Sequence, residues 1–281
     1  MSAPTSARGR HEVKRTRGFA AILMVCVLAG CVLLLVAMEG ASTARAAQRR
    51  SERDRSDYVA TAQAKVSEWY FTHAAAIDDP GRRSPIENEV MQGARLVPRW
   101  GVRVAVSELL GDDALRYRRI ALWLPTRERS GAAFALDGTF DATLGSPFAV
   151  VDGRAIETAL RDRTLGTLQR LARALEGRFR ARALADSDHR VDVNHFRPRD
   201  PACAADADEL PCLDVFTDAA GAGLARIAGV GDNELRSAWG GPVELSNGSD
   251  GSADGPPFRL RLRSRTPWGS YVEVVALQSL D

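Results

Sequence analysis

Histidines, cysteines and clustered carboxylates are the residues through which this chain could do chemistry, and they are few: four histidines and four cysteines in 281 residues. His73, His189 and His195 are of the type that serves as a general base, but no serine or cysteine nucleophile is set near them by sequence. The GxSxG, HExxH, P-loop, helix-opening GxGxxG and CxxC patterns are all missing. Asp186, Asp188, His189, Asp192, Asn194 and His195 make a polar cluster, a composition that loops after helices routinely share. Asn247, Asp250 and Asp254 put three oxygen side chains on a Gly/Ser-rich loop. Calcium takes such hard ligands, although the EF-hand order is not there. Calcium at this loop is therefore the single weak cofactor reading; no other cofactor or metal is expected, and no enzymatic activity. Cys203 and Cys212 either close a short disulfide loop worth roughly 2–3 kcal/mol or stay as two thiols. Zinc is disfavoured, because His189 and His195 form no recognised ligand set with them.

The elements that position these residues follow from charge and periodicity. Arg8, Arg10, Lys14, Arg15 and Arg17 stand against Glu12 alone in residues 1–18, and residues 19–38 carry no charge. With a formal total of +2, residues 39–281 therefore sum to −2. Such a body lacks the basic surface that phosphate contacts need, so no nucleic-acid partner is expected. Of the 38 basic residues only Lys14 and Lys65 are lysine, which reads as GC-rich codon usage and hence a bacterial source. Phe19–Met38 (FAAILMVCVLAGCVLLLVAM) is long enough as a helix to cross the roughly 30 Å bilayer core. Five basic residues flank it on each side, so charge alone does not orient it. The short leader and the exported-looking cysteine pair put the N-terminus in the cytoplasm and the remainder outside.

From 40 to 78 an amphipathic pattern without Gly or Pro after Ala41 continues the helix, with Tyr58, Ala62, Val66, Trp69 and Phe71 among polar residues, until Pro80-Gly81 ends it. Span and amphipathic part together make about sixty residues, on the order of 90 Å. Residues 81–100 read as turn-rich. Strands are expected at Val102–Val106, Tyr117–Leu124, Phe148–Val151, Gly223–Val230, Val243–Ser246, Phe258–Arg265 and Ser270–Leu277, and a helix from Ile156 to about Ala185. In Phe258–Arg263 arginines alternate with apolar residues, which predicts one buried and one solvated sheet face. The fold class is thus α+β, a long N-terminal helix with a C-terminal antiparallel sheet head. It divides as leader 1–18, transmembrane helix 19–38, amphipathic helix 39–79 and head 80–281.

Four fates are open to the N-terminus: an uncleaved anchor, signal-peptidase cleavage at Ala44-Arg45-Ala46, lipidation at the Leu28-Ala29-Gly30-Cys31 lipobox, or a fourth that carries a resemblance. A basic leader ending in Arg17-Gly18, then Phe19 heading twenty apolar residues that run into a polar helix, resembles the N-terminus of type IV pilins and pseudopilins. Leu235–Pro242 (LRSAWGGP) is similar to the Trp-containing turn before the C-terminal strands of those domains, and Cys203…Cys212 to their disulfide-bounded loop, though placed earlier in the chain. The resemblance implies processing between Gly18 and Phe19 and packing of the apolar helix in a fibre. It also implies Trp239 as a packing anchor. Leu23 stands at the assembly position where the family carries glutamate, which points to a minor subunit. Its implied setting is the inner membrane, with the head in the periplasm and other pilin-like subunits or secretion or pilus machinery as partners. The alternative is a membrane-anchored periplasmic enzyme or ligand-binding domain.

Overall fold

A computed structural model describes residues 12–125, 132–142, 146–187, 193–198, 203, 205–206, 209–248 and 256–278, with side chains from residue 21. The first helix, α1, runs over Glu12–Ile77, as the unbroken absence of proline allows. The chain divides into two units, Met1–Asp57 and Tyr58–Asp281. In the first, the apolar stretch from Ala21 to Met38 has every side chain exposed. By length and composition this helix can cross a membrane.

The second unit has two hydrophobic cores. In the first core, Val59, Ala62, Val66, Tyr70, Ala74 and Ile77 form the buried stripe of α1, at the three- and four-residue spacing of one helix face. They lie on an antiparallel sheet of order β1 (Arg103–Val106), β4 (Arg119–Trp123), β7 (Phe148–Asp152). Leu122 sits opposite Val104 on one side and Ala149 on the other. Two short hairpins interrupt the strand order: β2 (Leu110–Gly111) with β3 (Arg116–Tyr117), and β5 (Ala133–Phe134) with β6 (Phe140–Asp141).

The second core is built on α3 (Gly153–Ala185), whose N-cap Asp152 accepts the N–H of Arg154. Leu168, Leu171, Leu175 and Phe179 face a sheet of order β11 (Tyr271–Leu277), β10 (Arg259–Arg265), β9 (Val243–Ser246), β8 (Thr217–Asp218). Leu160, eight residues and about two turns before Leu168 on α3, belongs to the first core. One helix thus serves both.

The alternation in β10 is realised. Leu260, Leu262 and Ser264 are buried, while the arginines face outward, where Arg261 pairs with Glu273 at 2.6 Å and Arg263 with Glu244 at 2.7 Å. Phe216 lies under both guanidinium groups. Edge strands are a liability because their unpaired backbone groups invite other chains, and three sheet edges here are met by side chains. Gln63 of α1 donates to Val150 O at 2.9 Å, Glu87 accepts from Val104 N at 3.1 Å, and Glu176 of α3 accepts from Leu277 N at 3.0 Å.

Two expectations are corrected. Residues 81–100 are not turns throughout: Glu87–Gly93 is a helix, α2, that presents Val90 to the first core and carries the Glu87 that meets β1. Gly223–Val230 is not a strand but holds a short helix, α4 (Leu224–Ala228). Gly223 and Gly229, both left-handed, bound it, and its buried residues, Leu224 and Ile227, are three apart. The tight Gly-bounded turn overrides the strand-like alternation.

The sharing of α3 gives a stability test. Leu168→Ala, in the core, should cost about 2–5 kcal/mol. Leu184→Ala, at a side chain 71% exposed on the same helix, should fall within about 0.5 kcal/mol of the parent. Urea unfolding of the detergent-solubilised protein measures both.

Candidate functional site

The sequence-predicted residues do not converge. His73 is exposed on α1, stacked on Trp69 with ring centroids 5.6 Å apart. His195 lies in the second half of the unit, its backbone N–H on Gln278 and its ring against Phe179. Asp188, His189 and Asp192 lie outside the described residues, as do Asp250 and Asp254. Asn247 is buried and turned inward: its Oδ1 accepts from Leu213 N at 2.7 Å, and its Nδ2 donates to Phe196 O at 2.6 Å and Pro211 O at 2.8 Å. It clasps the segment around the cysteine loop to the end of β9. Among the described residues no group of three or more His, Cys, Asp and Glu is arranged to hold a metal ion. Cys203 and Cys212 form a disulfide, with Cα atoms 5.5 Å apart. Gly18, Phe19 and Leu23 lie within α1, and the Leu23 side chain is exposed.

The structure brings together a different set. α1 ends at Ile77, whose carbonyl would be left without a helical partner; Arg118, in the connection between β3 and β4, donates to it through Nε at 2.9 Å. Arg118 is itself buried, and its Nη1 also reaches Ser84 Oγ at 2.6 Å and Ser107 O at 3.2 Å. The next residue after the helix, Asp78, is completely buried and lies 2.7 and 2.9 Å from the Tyr70 hydroxyl, which donates to it and accepts the backbone N–H of Arg118 at 2.9 Å. Against Asp78 stands the carboxyl of Glu157 from the first turns of α3, also completely buried. Glu157 Oε2 accepts the indole N–H of Trp239 at 2.8 Å.

The charge balance of this cluster is closed. Arg118 is one cation, and one carboxylate neutralises it. A second ionised carboxylate would be an uncompensated buried charge costing several kcal/mol. Glu157 Oε1 meets no donor among the described residues, so burial beside Asp78 favours the protonated, neutral form of Glu157. Burial pushes Glu157 up to about 9, and its hydrogen bond to Asp78 adds to the rise. Burial also raises Asp78, to about 6, against the lowering effect of its hydrogen bonds from Glu157 and Tyr70 and of the Arg118 charge. The Tyr70 hydroxyl is raised far above its ordinary range, first by burial and then by Asp78.

Trp239 extends the cluster. Its turn is tight: Ser237 N donates to Gly241 O at 2.8 Å, and Gly240 takes φ +82°. Its ring packs against both cores and makes an edge-on contact with Trp268 at 5.8 Å. Trp268 Nε1 in turn donates to Asp113 O at 3.0 Å. On α3, Thr164 accepts Ala238 N at 3.0 Å. A paired, protonated acid of this kind could act in proton transfer in an open cleft, but both of its carboxyl groups are shut away from solvent. Its chemistry is internal: it caps a helix and ties α1, α3 and the Trp239 turn together.

The sequence reading reached Trp239 and missed Tyr70, Asp78, Arg118 and Glu157. The available signal was Glu157 itself, which lies three residues before Leu160 and eleven before Leu168, on the apolar face of α3. Compared with known proteins, the chain matches no family model, no curated protein and no solved structure.

Gly153 shows how little room the cluster has. A Cβ there would lie 2.2 Å from both Tyr70 Oη and Arg118 O, so Gly153→Ala should destabilise the protein by several kcal/mol, read as a fall in urea midpoint. Arg118→Ala leaves Asp78 without its cation and should cost about 3–5 kcal/mol.

Proposed function

We propose that the chain is a pilin-like minor subunit of a type IV or conjugative pilus or a type II secretion pseudopilus, assembling through its N-terminal apolar helix. The observation that carries this reading is α1. Its Ala21–Met38 stretch is apolar with no side chain buried, and from Val59 onward the same helix presents a buried stripe to an antiparallel sheet. Helices in lipid gain nothing from the hydrophobic effect by leaving it for an equally apolar fibre core, so close packing decides their association. That makes transfer from membrane to fibre reversible in free energy, as an assembling subunit requires.

The disulfide supports an oxidising compartment for the head, and therefore an inner-membrane protein with a cytoplasmic N-terminus and a periplasmic head. Leu23, uncharged, favours a minor over a major subunit. The partners in this reading are the inner membrane and other pilin-like subunits of the pilus or secretion machinery. An anchored periplasmic enzyme is favoured by no arrangement among the described residues.

The N-terminus of the mature protein tests the proposal. Mass spectrometry should find it at Phe19 in cells with prepilin peptidase and at Met1 in cells without it. Retention of Met1 in both, or a lipidated N-terminus at Cys31, overturns the processed-subunit reading.

A further inference from the structure

We propose that the groove between α3 and the Trp239 turn is a binding site for a phosphate monoester, whose doubly charged group is held by Arg163, Arg170 and Arg236. The groove has a volume of about 380 Å³. One wall is α3, where Arg163, Thr167 and Arg170 fall at i, i+4 and i+7 and so share a face. The other is the helical turn Asp232–Leu235 and the residues after it, which bring Glu234, Arg236 and Ser237. The bond from Ala238 N to Thr164 Oγ1 fastens the two walls together at the groove floor.

The charge of this lining is not closed. Three arginines and one glutamate leave a balance of +2. Arg103 meets Glu87 at 2.8 Å and Arg263 meets Glu244 at 2.7 Å, but among the described residues none of the three groove arginines has a carboxylate partner. Glu234 is engaged with its own turn, its Oε1 accepting Gly231 N at 3.2 Å. Like charges gathered in one groove repel, and a dianion seated among them removes that cost.

The donors are set up in advance. Arg170 Nη2 donates to Thr167 Oγ1 and Arg236 Nη1 to Gly240 O, each at 3.1 Å, so both guanidinium groups are tied to the walls. Each keeps its other N–H groups uncommitted, and Arg163 keeps all of its own. Groups ordered beforehand lose less freedom when a ligand arrives, and planar guanidinium forks match phosphate oxygens. Ser237, only 6% exposed, adds a neutral donor: its Oγ accepts Gly241 N at 3.1 Å, while its own proton meets no acceptor among the described residues.

The ligand class follows from charge and room. A carboxylate or a phosphodiester carries one negative charge and would leave the lining positive, whereas a phosphate monoester carries about −1.5 to −2 at neutral pH. The groove is also more than ten times the roughly 30 Å³ share of one water, which leaves space for the esterified alcohol. Such a group reaches the protein either on a small soluble ester or as the headgroup of phosphatidic acid.

Calorimetric titration of the full chain in neutral detergent micelles tests the site, with glycerol 3-phosphate as the soluble probe and micelle-embedded phosphatidic acid as the lipid one. One-site, saturable binding is expected. Each of Arg163→Gln, Arg170→Gln and Arg236→Gln, all at exposed side chains, should weaken it about tenfold or more. Arg154→Gln, exposed on the same helix but outside the groove, should change it less than about twofold. Binding of both probes, or of glycerol 3-phosphate alone, assigns a soluble ester, and binding of phosphatidic acid alone assigns the lipid headgroup; either supports the site. Saturable binding of neither probe overturns it, as does an equal loss in Arg154→Gln, and acetate binding as tightly as glycerol 3-phosphate overturns the doubly charged ligand.

Discussion

A buried cation can neutralise one buried anion and no more, and the cluster at Arg118 is arranged around that limit. Arg118 and Asp78 cancel, so Glu157 must be neutral, and the one donor among the described residues that holds its carboxyl is the Trp239 indole N–H. Everything attached to them inherits the geometry: the end of α1 through Ile77 O, the start of α3 through Gly153, whose N–H donates to Arg118 O at 3.1 Å, and the Trp239 turn through its indole. A well-packed apolar trio in the same place could be equally stable. What the ionic version adds is a single permitted arrangement, since any sliding of one element against another leaves a buried charge or N–H without its partner.

The first core meets the second along α3 and at Trp239. Leu160 faces one and Leu168 the other, with the buried Thr164 between them spending its hydroxyl on Leu160 O and on Ala238 N. A β-branched polar residue in a helix interior is a weak choice by propensity, but here it places an acceptor where the turn needs one. A further tie runs from the β10–β11 turn, where Trp268 Nε1 and Ser270 Oγ both donate to Asp113 O; each sheet is antiparallel and shielded at an edge by a polar side chain from the helix beside it.

How much of this was readable depends on what each element answers to. The extent of α3 was legible because Leu160, Leu168, Leu171, Leu175 and Phe179 repeat at helical spacing, and β10 and β11 because their alternation matches the pleat. The end of α1 was marked by Pro80-Gly81. The short elements α2, α4 and β8 were not legible, because each is held by tertiary contacts rather than by its own sequence, as Val90, Leu224 and Ala219 show by their burial. The acid cluster was hidden for a related reason. Asp78 reads as an ordinary residue after a helix and Arg118 as one more arginine in an arginine-rich chain. Only their meeting in space makes either unusual. Glu157 alone stood out of place, an acid on a leucine face, and its meaning needed Asp78, 79 residues before it.

The arrangement of the two sheets has a consequence for how the molecule comes into being. The buried residues of the first core all fall between Val59 and Leu160, and those of the second between Leu168 and Ala276. Each layer is thus gathered from one uninterrupted length of chain, in the order in which that chain is made. The early layer has its helix and all three strands before the first residue of the later sheet has been synthesised, and what it still lacks is Trp239. The acid pair closes over an indole that arrives last, so the joint between the layers is also the record that both have folded.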